Sequence, residues 1–109
     1  MGALSSKIRR VAGTNYEGIA HWCPGCEETH VIKIAPADQH PVWSYDGNAE
    51  APTTNPSVRL FDGHGTICHY FLKAGKIEFC GDCRHGLSGK TVDLPLWPYT
   101  PGEYGGVED

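Results

Sequence analysis

A chain of 109 residues, 39% of them hydrophobic and 20% charged, has the balance of one globular domain with a small core. Its net charge of −4 argues against nucleic acid as the main partner. No apolar run approaches the ~18 residues of a membrane-spanning helix, and no signal-peptide core follows the basic Lys7, Arg9 and Arg10. Fourteen glycines and eight prolines favour short strands and tight turns over helices. Five cysteines, an odd number, favour metal ligation in a reducing cytoplasm over a disulfide framework.

Residues 1–15 read as a short strand or a loose arm. Strand-like segments at Gly18–Trp22 and His30–Ile34 flank Cys23-Pro-Gly-Cys26, a turn that brings two thiolates to one ion as in a zinc knuckle. A redox motif would need a helix starting at the first cysteine, which Gly25 and the β-branched run after His30 disfavour. His21 and His30 read as ordinary strand residues. Val42–Tyr45 reads as a strand, Asp46-Gly47 as a turn and residues 47–56 as a loop, because Pro52 and Pro56 exclude regular pairing. Ser57–Phe61 is the next expected strand, and Asp62–Gly65 a flexible turn.

Cys68 to His85 then organises the chain. Two alternating runs flank Lys73-Ala-Gly-Lys76, a hairpin signal that pairs Lys73 with Lys76, Leu72 with Ile77 and Tyr70 with Phe79. One face carries Cys68, Tyr70, Leu72, Ile77 and Phe79, and the other His69, Phe71, Glu78 and Cys80. A three-residue turn would slip this register by one, but Cys68 and His69 point to opposite faces in either case. Cys80-Gly-Asp-Cys83 is a second knuckle, so spacing alone assembles Cys23, Cys26, Cys80 and Cys83, with Cys68 and His85 spare. Residues 87–93 read as a last strand. The tail packs Leu96 and Trp97 on the domain and then loosens over residues 98–109.

Read in order, Cys23-Pro-Gly-Cys26, Trp43-Ser-Tyr-Asp46-Gly47, Asn55-Pro56-Ser57, Cys68-His69-Tyr70, Asp82-Cys83-Arg84-His85, Gly89 and Leu94-Pro95 resemble a family of small phage and bacterial proteins. Phage members are often mislabelled as ammonia monooxygenases; others sit in bacterial ubiquitin-like conjugation operons as peptidases. The resemblance implies zinc ligation by Cys23, Cys26, Cys68 and Cys83, with His85 able to replace one of them. It usually has an apolar residue where Cys80 stands. It also brings forward Ser57 and His69 as nucleophile and base, with Asp46 the first candidate and Asp82 the second for orienting the imidazole.

The expected architecture is a small, mainly β, antiparallel domain spanning residues 1–109 with a zinc-ribbon-like structural Zn2+. The expected function is a serine-type peptidase-like hydrolase of the cytoplasm. Its protein substrate, by resemblance, is the C-terminus of a bacterial ubiquitin-like protein. The alternative is a non-enzymatic zinc-ribbon module that binds a protein, such as a phage factor acting on a host system. Hydrolysis by the zinc itself would need an open coordination position, which a thiolate-rich set disfavours.

Overall fold

The described residues form ten strands, the longer ones on runs of alternating apolar and polar residues. They are β1 (Gly2–Ala3), β2 (Arg9–Ala12), β3 (Glu17–Cys23), β4 (Glu28–Ala35), β5 (Ser44–Tyr45), β6 (Thr54–Asn55), β7 (Val58–Asp62), β8 (Gly65–Lys73), β9 (Lys76–Phe79) and β10 (Thr91–Asp93). The computed structural model describes residues 2–99, and among these there is no α-helix. It follows that no described helix is long and apolar enough to cross a membrane. The strands form two four-stranded antiparallel sheets, ordered β1-β2-β3-β4 and β10-β9-β8-β7, and a small β5-β6 ribbon.

The core lies between the two sheets. Ile19 and Ile32 from the first, with Ile8 just before β2, meet Val58, Tyr70, Leu72, Ile77 and Phe79 from the second. In the β8–β9 hairpin Tyr70 pairs with Phe79, Leu72 with Ile77 and Lys73 with Lys76. The turn between them needs two residues at positive φ: Ala74 at 49° and Gly75 at 77°. A Cβ on Gly75 would also stand 3.0 Å from the Ala51 Cα. The 46–56 loop packs on this turn through Gly75 N–H to the Pro52 carbonyl (3.0 Å) and Ala74 N–H to Thr53 Oγ1 (2.8 Å). That contact fixes where the following residue, Ser57, enters β7.

Several segments differ from the reading of the sequence. Of the two readings of the first residues, the structure has the strand and not the loose arm: β2 pairs along β3 from Arg9↔Ala20 to Ala12↔Glu17, and Ile8 is fully buried. Arg9 is buried too, donating to the Ser5 and Ile8 carbonyls with its guanidinium 5.2 Å from the Trp97 ring centroid. The expected strand at 42–45 shortens to two residues, because Trp43 N–H turns to the Lys33 carbonyl. Thr54–Asn55, expected in a loop, pairs with it between the two prolines. Residues 87–89 form a turn rather than strand, with Gly89 at φ 77° donating to the Cys80 carbonyl. Trp97 packs on the domain as expected, whereas Leu96 is 65% exposed. The expected loose tail lies, from residue 100 onward, outside the described residues.

Candidate active site and metal centre

Cys68 and His69 are adjacent on β8, and the pleat sends them to opposite faces: Cys68 inward and fully buried, His69 outward and partly exposed. Each face carries one cluster.

On the outer face, β7 pairs with β8 so that Arg59 stands opposite His69 and Val58 opposite Tyr70. Ser57, one residue before β7, therefore reaches His69 diagonally, and its Oγ lies 3.0 Å from His69 Nε2. His69 Nδ1 lies 3.2 Å from both carboxylate oxygens of Asp82. A carboxylate only accepts, so Nδ1 carries the ring proton and Nε2 is left to accept the Ser57 hydroxyl. Against the desolvation that raises it, the hydrogen bond from His69 holds the Asp82 carboxyl below its usual value. Trp43 Nε1 donates to the Ser57 carbonyl at 3.1 Å and fixes the serine backbone. Trp43 also lines an open apolar hollow with Ile34, Val42 and Tyr45.

Asp46, the first candidate for orienting His69, does not touch it. Its Oδ1 accepts from the Asn48 and Thr53 amides at 3.0 and 3.2 Å and shapes the 46–53 loop. Short Asx loops of this kind consume the carboxylate locally. Asp82 takes the position beside His69 because its knuckle is docked there. Cys80 N–H donates to the His69 carbonyl at 2.8 Å, and Cys83 Sγ lies 3.3 Å from His69 N and 3.2 Å from its carbonyl.

On the inner face, Cys23, Cys26, Cys68 and His85 place one ligand atom each within 4.8 Å of one another, a group that could hold a metal ion. Cys83 is not among them; its sulfur lies against the His69 backbone, and His85 is the fourth member of the group. The Cys68 sulfur lies 3.4 Å from His85 Nε2, and the imidazole packs edge-on against Phe79. Gly25 permits this approach, since a Cβ there would come within 2.3–2.5 Å of the His85 ring. Leu87 N–H lies 3.2 Å from His85 Nδ1. Ligation through Nε2 would put the ring proton on Nδ1 and give up that contact.

The thiols of this group oppose one another's ionisation. A hydrogen bond from Cys68 pulls Cys23 down to about 6, while burial and then the Cys23 charge push Cys26 up to about 12. Cys68 is pushed up by that same bond and by burial. Three thiols this close cannot all ionise without a positive charge between them.

Beside the cluster, His21 and His30 are not ordinary strand residues. His21 Nε2 and His30 Nδ1 lie 2.7 and 3.3 Å from the buried Tyr70 hydroxyl. Burial lowers His21 to about 3 and His30 to about 4, and raises Tyr70 well above its usual value, so all three stay neutral. His30 also forms, with Cys26 and Glu28, a second group of metal-capable side chains. Their position in alternating strands carries no mark of this network; only the pairing of His21 with His30 across β3 and β4 creates it.

Residues 3–80 match the family model described as the bacterial ubiquitination-like system serine protease (BubE). The chain matches no curated protein and no solved structure.

Proposed function

This chain belongs to the family of bacterial ubiquitination-like system serine proteases, and we propose that it cleaves proteins through Ser57, His69 and Asp82. The observation that carries this reading is the continuous line of hydrogen-bond distances, 3.0 Å from Ser57 Oγ to His69 Nε2 and 3.2 Å from Nδ1 to Asp82. His69 Nε2 takes the hydroxyl proton as Ser57 Oγ attacks the substrate carbonyl carbon. Asp82 steadies the imidazolium that results. The imidazolium then gives its proton to the leaving group, and water, deprotonated in turn by Nε2, releases the acyl chain from Ser57.

The substrate is the C-terminal tail of a ubiquitin-like protein. Such a tail is extended, and β7 offers it the outer edge of a sheet directly after the nucleophile. Arg59, opposite His69 on the same face, is tethered by Nε to Thr66 Oγ1 at 2.7 Å. Its outer nitrogens make no ion pair among the described residues and suit a carboxylate of the tail.

The inner cluster fits Zn2+. Three sulfurs and one imidazole are a closed tetrahedral set, in which Cys23, Cys26, Cys68 and His85 would hold the ion and leave no position for substrate. Bound there, zinc supplies a cross-link between the two sheets. The triad distances favour a peptidase over a non-enzymatic binding module. The test is a Ser57→Ala protein assayed against a C-terminally extended ubiquitin-like substrate. Cleavage is expected to vanish while zinc content and circular dichroism stay unchanged, and persistent cleavage would reject Ser57 as the nucleophile.

A further inference from the structure

Of five cysteines, three belong to the inner cluster and Cys83 is bound to the His69 backbone. Cys80 remains, and its sulfur makes no hydrogen bond among the described residues. It is half-buried on the outer face, and His69, Cys80 and Asp82 place their ligand atoms within 4.8 Å of one another. Thiolate, imidazole and carboxylate together form a donor set for a borderline-soft divalent ion, and the knuckle's backbone bond from Cys80 to His69 already holds them in register.

We propose that His69, Cys80 and Asp82 form a second metal site, separate from the inner cluster, through which Zn2+ switches the peptidase off. The ion enters between Asp82 and the imidazole nitrogen that faces it. The Cys80 thiol releases its proton to solvent, and the sulfur lone pair makes the metal bond. The ring proton passes from Nδ1 to Nε2, freeing the Nδ1 lone pair for the metal. Nε2 then donates toward Ser57 Oγ instead of accepting from it, so the serine loses its base. Cys80 takes no part in the uninhibited reaction, and its replacement therefore separates regulation from catalysis. Metal binding stands on the geometry alone, whereas the inhibition rests on the triad reading given above.

The experiment uses the full chain with one equivalent of zinc already bound. Zn2+ is titrated by equilibrium dialysis and Co2+ by its thiolate absorption, and hydrolysis is followed in parallel. The wild type takes up a second equivalent and loses activity, which a brief chelator treatment restores. Cys80→Val retains activity and resists added zinc, with second-site affinity weakened at least about tenfold, the lower bound for disturbing a metal's surroundings. Asp82→Asn gives an independent binding arm at an exposed position, should Cys80→Val be unstable. A second equivalent held equally well by both variants, or never taken up by the wild type, overturns the site. Uptake without inhibition in an active protein overturns the switch. Uptake through Cys80 in a protein that cleaves nothing upholds the site and rejects the peptidase reading instead.

Discussion

At the scale of single residues, two aspartates of similar promise have different work. Asp82 faces His69 Nδ1 at 3.2 Å, whereas Asp46 accepts from two amides of its own loop. Asp82→Asn is expected to lower kcat on the order of 10³–10⁴-fold, as loss of the orienting carboxylate does in serine triads. Asp46→Asn keeps an acceptor oxygen for the loop and should leave kcat within about threefold, since no catalytic charge is removed. Steady-state kinetics of the two variants checks both, and an inactive Asp46→Asn beside an active Asp82→Asn would reverse the assignment. Gly25 is equally specific. Its missing Cβ makes room for the His85 ring at 2.3–2.5 Å, so Gly25→Ala should weaken zinc at least about tenfold in a competition titration with a chromophoric chelator.

At the scale of elements, the β8–β9 hairpin and its neighbours decide how Ser57 meets His69. Gly75 combines φ 77° with the close Ala51 contact, and it anchors the loop leading to Ser57. Gly75→Ala should cost about 1–2 kcal/mol in urea unfolding, the penalty of a left-handed L-residue, with some loss of activity as the loop shifts. A second brace ties the β7–β8 turn to the chain after the knuckle. Arg84 forms a two-pronged pair with Asp62 at 2.6 and 2.8 Å, and its amide donates to the Ile67 carbonyl. The Arg84 hydrogen bonds, followed by the His64 amide, hold Asp62 down to about 2. A carboxyl whose folded pKa is depressed contributes stability above its unfolded value near 3.8, lost as pH falls toward about 2. The stability gap between wild type and Asp62→Asn should therefore be small, since the pair is exposed, and should close across that window in denaturant titrations. A gap that persists at pH 2 would assign the effect to packing instead.

At the scale of the molecule, the inner cluster joins the two sheets. Cys23 ends β3 and Cys26 lies in the turn to β4, while Cys68 lies on β8 and His85 follows the second knuckle. A small core gives such a cross-link leverage over folding. Removing zinc with a strong chelator should lower the melting temperature by roughly 10 °C or more, read by circular dichroism, because a few kcal/mol move a domain of this size that far. An unchanged melting curve would mean that the core alone holds the sheets.

What the sequence by itself determined is what short-range physics can specify. Alternation and a Lys-Ala-Gly-Lys turn set the hairpin register, and the pleat alone sends Cys68 and His69 to opposite faces. The resemblance carried by the order of motifs likewise implied Ser57 and His69 as partners, which lie 3.0 Å apart. Tertiary structure decided what depends on distant segments competing for one place. Asp82 reaches His69 because its knuckle is hydrogen-bonded to that backbone, and the same bonds occupy Cys83, so that His85 completes the inner cluster. The buried first strands and the His21–His30–Tyr70 network arise in the same way, from registers between sheets. Spacing along the chain limits which ligands can meet, but the choice among several equally spaced sulfurs and carboxylates is made by the backbone contacts that each one's neighbours have already formed.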